Sequence, residues 1–200
     1  MIKNIISDIG NVLFEFDTSG FINKNIETED KEKFFDLVFG SENWQLMDKG
    51  DLAFEDAREY FLSVFPKYKD SLNKLFDSSL TLCLNMNNNN INILKEYKKK
   101  EYNIYYLSNM SVETFQCINK KTDFFEKTCI GGIVSAYEKM IKPSEEIYKL
   151  LLNRFNLLAE ECLFIDDNFN NVNSALKLGF NSFQLKNMSN MKFELEKILK

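Results

Sequence analysis

Asp8, Ser108, Lys142 and the adjacent pair Asp166-Asp167 are the residues of this chain whose types suit chemistry and whose places share a pattern. Three of the sites close short apolar runs: Ile5-Ile6-Ser7 before Asp8, Tyr106-Leu107 before Ser108, and Phe164-Ile165 before Asp166. Alone, each has a plain structural reading. Asp8 precedes Gly10-Asn11 as a turn-forming aspartate, Ser108-Asn109 suits a strand-end turn, and Lys142 before Pro143 suits a solvated loop. Asp166-Asp167 is harder to dismiss, because neighbouring carboxylates repel unless a cation or donors compensate them. An oxygen-ligated Mg²⁺ is the natural compensator. Taken together, the set is equipped for phosphoryl transfer. A carboxylate attacks phosphorus and forms an acyl phosphate. Magnesium, a lysine, a hydroxyl and backbone amides meet the charge on the remaining oxygens, so catalysis is mostly positioning and electrostatics.

The rest of the composition narrows the alternatives. The chain has 200 residues and no histidine, which removes Ser-His-Asp triads, Cys-His proteases, histidine zinc sites and HExxH metalloproteases. Apolar residues at 44% and charged residues at 28% give a globular chain enough material for a core. The net charge of −5 argues against a nucleic-acid partner, which calls for a basic face. Cys83, Cys117, Cys129 and Cys162 form no CxxC pair and read as reduced thiols of a reducing compartment. The N-terminal stretch Met1-Ile2-Lys3-Asn4-Ile5-Ile6-Ser7-Asp8 reaches a charge too soon for a signal peptide, and no apolar run approaches the ~20 residues of a membrane span. The expectation is a cytoplasmic protein with no membrane partner, monomeric by default. In that setting Asn109-Met110-Ser111 and Asn187-Met188-Ser189 match the glycosylation pattern by chance.

The patterning supplies elements to hold these residues. Ile2–Ile6, Asn103–Leu107, Cys129–Val134 and Leu163–Ile165 read as strands. Leu13–Asp17 alternates apolar and acidic residues as an exposed hairpin arm does. From Thr18 to Leu84 the period is helical, enough for about three amphipathic helices. Asn87–Asn90 reads as a junction, Ile91–Lys100 as a helix with a basic end suited to its dipole, and Ser144 as an N-cap. Val172, Ala175 and Leu176 mark a helix stopped by Gly179. Short apolar strands alternating with helices make an α/β fold with a mostly parallel sheet, whose ligands sit at the carboxyl ends of the strands.

The motifs Ile5-Ile6-Ser7-Asp8-Ile9-Gly10-Asn11-Val12-Leu13, Tyr106-Leu107-Ser108-Asn109, Lys142-Pro143 with Ile147-Tyr148, and Phe164-Ile165-Asp166-Asp167-Asn168 with Asn171, Ala175 and Gly179 follow one another in that order. The chain thereby resembles the haloacid dehalogenase (HAD) superfamily, in its phosphatase branch with a small helical cap. The resemblance implies a Rossmann-like core over residues 1–16 and 86–200 and a helical cap over 17–85, inserted after the first strand. It implies Asp8 as nucleophile and Mg²⁺ ligand, with the Gly10 carbonyl and Asp166 completing the protein ligands and Asp167 reaching the metal through water. Ser108, the Asn109 amide and Asn11 would bind phosphate, and Lys142 would pair with phosphate and Asp8. Trp44–Gly50 is similar to a cap segment of bacterial sugar-phosphate phosphatases, notably of the α-D-glucose-1-phosphate phosphatase type.

One position departs from most phosphatases of the family. They carry a second aspartate two residues after the nucleophile, to protonate the leaving group, and here that position is Gly10. The Asp-x-Gly-Asn-Val form also occurs in the glucose-1-phosphate phosphatase type. Glu15 and Asp17, on one face of the hairpin arm, are candidate replacements. The expected activity is Mg²⁺-dependent hydrolysis of a small phosphomonoester, such as a sugar phosphate. Two other readings stay open: a catalytically weak domain that binds a phosphorylated ligand or a partner, and a metal-independent 2-haloacid dehalogenase. A dehalogenase gains nothing from the repelling Asp166-Asp167 pair. Ser71-Leu72-Asn73-Lys74, Gly131-Gly132 and the lone Trp44 are read as chance or packing.

Overall fold

The computed structural model describes residues 1–199. Its strands are β1 (Asn4–Ser7), β2 (Phe14–Phe16), β3 (Leu84–Met86), β4 (Asn103–Ser108), β5 (Gly131–Val134), β6 (Cys162–Asp166) and β7 (Asn181–Gln184). Five of them form a parallel sheet in the order β5-β4-β1-β6-β7. This is a Rossmann-like sheet of the expected α/β class. β1 and β6 are buried along their whole length, as central parallel strands covered on both faces must be. Ile5, Leu94, Ile104, Phe124 and Leu163 fill one face, and Ile6, Tyr148, Leu151 and Phe164 the other. Burying side chains of this size contributes roughly 1.5–3 kcal/mol each, which sets the register firmly.

That register places the chemistry. Ser7 pairs with Tyr106 of β4 and with Ile165 of β6. Asp8, Ser108 and Asp166 therefore come off one edge of the sheet, at the carboxyl ends of its three middle strands. The Asp8 amide donates to the Ile165 carbonyl at 2.8 Å, carrying the pairing one residue past β1.

Between β2 and β3 lie five helices: α1 (Thr18–Asn25), α2 (Lys31–Leu37), α3 (Glu42–Lys49), α4 (Phe54–Val64) and α5 (Lys69–Asp77). The helical period of this stretch is confirmed, with five helices where about three were expected, because short turns at Ile26–Asp30 and Val38–Ser41 cut the early run. Phe34, Phe61, Leu72, Leu75 and Phe76 centre an apolar cluster of this insert's own. The insert leaves and re-enters through β2 and β3, which pair antiparallel with Glu15 opposite Asn85. Leu13–Asp17 is thus one arm of a ribbon, as its alternation suggests, but the other arm lies across the whole insert.

The remaining helices are α6 (Asn88–Lys99), α7 (Val112–Lys121), α8 (Phe124–Lys127), α9 (Ser135–Glu138), α10 (Glu145–Phe155), α11 (Phe169–Lys177) and α12 (Met191–Ile198). Two local expectations take a more specific form. Asn87–Asn90 is the cap and first turn of α6: the Asn87 side chain accepts from the Asn90 amide, and the Asn90 side chain donates to the Val12 carbonyl at 2.8 Å. Ser144 stands at the N-cap of α10, yet its hydroxyl turns to Glu146 and caps no amide. Gly179 does end α11, at φ 89°, a conformation that suits glycine. The four cysteines are free. Among the described residues, no helix is long and apolar enough to cross a membrane.

Candidate active site

Lys142 lies at the centre of the strand-end cluster. Its side chain is 1% exposed, and its ammonium reaches Asp166 Oδ2 at 2.7 Å, the Leu107 carbonyl at 2.8 Å and Asp8 Oδ1 at 3.0 Å. Those three acceptors match the three protons an ammonium offers. The backbone of Lys142 is clamped by the Asn109 side chain, which donates to its carbonyl and accepts from its amide, both at 2.9 Å. Burial drives the Lys142 pKa down, but Asp166 and Asp8 outweigh it and hold the ammonium above the ordinary lysine range.

The carboxylates are held just as closely. Asp8 Oδ1 accepts from the Ile9 amide at 2.7 Å as well as from Lys142, which leaves Oδ2 for other partners. Asp166 is fully buried and accepts from Lys142, from the Asn168 amide at 2.8 Å, and from Asn171, whose Nδ2 lies 3.1 Å from both of its oxygens. Asn168 caps α11, so the turn that starts this helix also aims the carboxylate. Asp167 Oδ2 accepts from Asn11 at 2.9 Å, and Asn11 Oδ1 accepts from the Phe16 amide.

Asp8, Asp166 and Asp167 each present an oxygen, and the three oxygens lie within 4.8 Å of one another. Burial raises the Asp8 carboxyl to about 7; Lys142 works against this, and Asp166 and Asp167 reinforce it. Asp167 is raised as well, by burial first, against the Asn11 hydrogen bond. Three acidic groups around one lysine leave an excess of negative charge in a site that burial already makes unfavourable for it. A hard divalent cation with oxygen preference fits that donor set.

Of the residues singled out in the sequence, the structure brings Asp8, Lys142, Asp166 and Asp167 into one cluster, with Ser108 buried at the end of β4. Asn11 is spent on Asp167 and Phe16, so its amide orients a carboxylate. Gly10 opens onto a narrow, partly enclosed cavity of about 70 Å³ at the boundary between sheet and insert. Nothing lies within 4 Å of where its Cβ would be. Neither proposed replacement for the absent aspartate reaches this cavity. Asp17 caps α1, accepting from the Gly20 amide at 2.7 Å, and Glu15 faces an outer groove with Asp167 and Gln184.

Sequence reasoning missed three contributors. Asn171 was noted only as part of a motif, although its spacing of five from Asp166 puts it one helical turn past the cap. Ser135 is wholly buried, donates to the Asp48 carbonyl and accepts from the Met110 amide at 2.9 Å. Asp48 itself lines the cavity beside Gly10. The signal for it lay within Trp44–Gly50, the segment whose resemblance was noted without a residue being chosen.

Residues 2–179 match the family described as haloacid dehalogenase-like hydrolase, and the chain belongs to that family. It is a hydrolase with phosphatases among its relatives. It is 26% identical to the sesquiterpene phosphatase astK of Aspergillus oryzae, over 88% of this chain and 86% of that one. It is 25% identical to D-ribitol-5-phosphate phosphatase of Bacteroides thetaiotaomicron, over 100% of this chain and 99% of that protein. Neither relative is named for glucose 1-phosphate. The fold is shared with bt-2542, a HAD family enzyme of Bacteroides thetaiotaomicron solved with magnesium and inorganic phosphate. Its TM-score is 0.77 at 24% identity, over 92% of this chain and 94% of that one.

Proposed function

We propose that this protein is a Mg²⁺-dependent phosphatase that hydrolyses a small phosphomonoester through an aspartyl-phosphate intermediate. The observation that carries the reading is the array of buried Asp8 and Asp166 with half-buried Asp167 around Lys142 at the ends of the middle strands. It is supported by the magnesium and phosphate of the similar fold and by the phosphomonoester names of the relatives. The roles assigned to residues 17–85 as cap and to the remainder as core are part of the same proposal.

Asp8 and Asp166 would hold the metal with the Gly10 carbonyl, and Asp167 would reach it through water; there it would neutralise charge on the phosphoryl oxygens. The chain's own residues supply the rest. Asp8 Oδ1 is pinned by the Ile9 amide and Lys142, so Oδ2 is the nucleophile. It attacks phosphorus in line, the Oδ2–P bond forms, and the bond from phosphorus to the ester oxygen breaks. Lys142 keeps Asp8 ionised against burial and meets charge developing on the phosphoryl group. Ser108 and the Asn109 amide bind its oxygens, while the Asn109 side chain keeps Lys142 in position. Water then hydrolyses the aspartyl phosphate and regenerates Asp8.

The test is a panel of phosphorylated metabolites, polyol and sugar phosphates included, assayed with Mg²⁺ and with excess EDTA. Release of inorganic phosphate is expected with the metal alone, and Asp8→Asn is expected to abolish it. Unchanged magnesium-dependent hydrolysis by Asp8→Asn would refute the assignment. Chloride release from 2-chloropropionate in EDTA would move the protein to the dehalogenase class.

A further inference from the structure

An alkoxide leaving group departs slowly unless it takes up a proton as the ester bond breaks, and losing that proton donor costs typically ~10²–10⁴-fold. The reacting end of the sheet offers no donor of its own at Gly10. Asp8 is committed as nucleophile, Lys142 spends its three protons on Asp166, Leu107 and Asp8, and Asp17 and Glu15 point elsewhere. The cavity that Gly10 opens onto has one ionisable side chain in its lining, and that side chain comes from the insert: Asp48, near the end of α3.

Its placement is fixed from both sides. The buried Ser135 hydroxyl bridges the Asp48 carbonyl to the Met110 amide, tying the last turn of α3 to the loop after β4. Gly50, at φ 85°, lets α3 approach α9 so closely that a Cβ there would stand 2.3 Å from the Ala136 carbonyl oxygen. The Asp48 carboxyl sits beside the Trp44 side chain and the Ser111 amide, two residues beyond Asn109. Phe16, Leu80 and Leu84 make the surroundings apolar.

We propose that Asp48 is the acid–base residue of the reaction, delivered from the helical insert into the space left by Gly10. The inference rests on the phosphatase reading above. In the first step the Asp48 carboxyl gives its proton to the departing ester oxygen as Asp8 Oδ2 bonds to phosphorus, so the alcohol leaves neutral. In the second, the Asp48 carboxylate takes a proton from the water that attacks the aspartyl phosphate. Phosphate is released, Asp8 is freed, and Asp48 is again protonated. Burial supports the role by raising the Asp48 carboxyl to about 7, against the hydrogen bonds from Trp44 and Ser111. An acid–base group works best with a pKa near the operating pH.

The experiment compares Asp48→Asn with the unaltered protein on an alkyl phosphate and on p-nitrophenyl phosphate, whose leaving group needs little protonation. Asparagine keeps the shape and an oxygen for the Ser111 amide. The variant is expected to lose at least ~100-fold in kcat/KM on the alkyl ester, and at least tenfold more than on the aryl ester. Adding Gly10→Asp to Asp48→Asn should recover part of the alkyl activity. Equal losses on both esters would show that Asp48 is only a tether, and no loss would show that it takes no part. A measurement on the unaltered protein stands if the variant fails to fold. Across esters of rising leaving-group pKa, kcat/KM should fall less than about tenfold when a donor is present, and a steep fall overturns the proposal. Failure of the phosphatase reading has a different signature: the unaltered protein hydrolyses no phosphomonoester with Mg²⁺.

Discussion

Replacing Lys142 with methionine tests the charge balance of the site without any substrate. Lys142→Met keeps the unbranched stem beside Phe164, whose ring centre lies 5.6 Å from the ammonium, and removes only the cation and its three hydrogen bonds. Breaking a buried ion pair by deleting one partner costs ~3–5 kcal/mol, because the other charge stays behind unpaired. Here Asp8 and Asp166 both lose their lysine while Asp167 stays close. For a chain of this size each kcal/mol lowers the melting temperature by roughly 2–4 °C, so a drop of about 6–20 °C is expected at pH 8 in EDTA. The pH dependence has a definite sign. In the unaltered protein Asp8 is raised to about 7 by burial, with Lys142 opposing. A carboxyl raised in the folded state favours folding below its ordinary range, and that contribution is lost as pH climbs through the folded value. Without Lys142 the folded value rises further, so the deficit of Lys142→Met should be small at pH 5 and grow toward pH 8. Thermal or urea melts at the two pH values read it directly. A deficit of equal size at both, or one below ~1 kcal/mol at pH 8, refutes the charge argument in favour of simple packing.

Further outcomes follow from the same geometry. Without metal, the unaltered protein should lose stability between about pH 4 and pH 7 from the raised Asp8, and Mg²⁺ should raise the melting temperature more at pH 8 than at pH 5, because it takes the ionised carboxylates. Isothermal titration in buffers of different ionisation enthalpy should show proton release on magnesium binding at pH 6. Gly50→Ala should cost at least ~2 kcal/mol, since it joins left-handed backbone to a near-contact with the Ala136 carbonyl, and a melt within 2 °C of the parent would contradict this. Gly10→Ala meets open space instead, and its melt should stay within about 2 °C of the parent.

The strand ends were legible because the sheet is parallel and covered on both faces: Ile5-Ile6-Ser7 and Leu163-Phe164-Ile165 are unbroken buried runs that stop at a carboxylate. Lys142 was legible only through the order of motifs, since a lysine before a proline carries no burial signal of its own. The two strands that escaped notice had little pattern to show. β3 is three residues, Leu84-Asn85-Met86, whose partner lies across the entire insert. β7, Asn181–Gln184, is an edge strand with one apolar residue, Phe183. Asp48 escaped for a different reason. A charge near a helix end reads as solvated, and only the docking of α3 against Ser135 and Ala136 turns it inward.

The ribbon of Phe14–Phe16 and Leu84–Met86 brings the two ends of the helical stretch side by side. Chain entry and exit share one narrow doorway, and α3 is fastened a second time at Ser135 and Ala136, so the helices away from α3 can change without touching the floor where Asp8, Lys142 and Asp166 stand. Those remaining helical walls are then free to vary in bulk and shape while the strand-end cluster keeps its geometry.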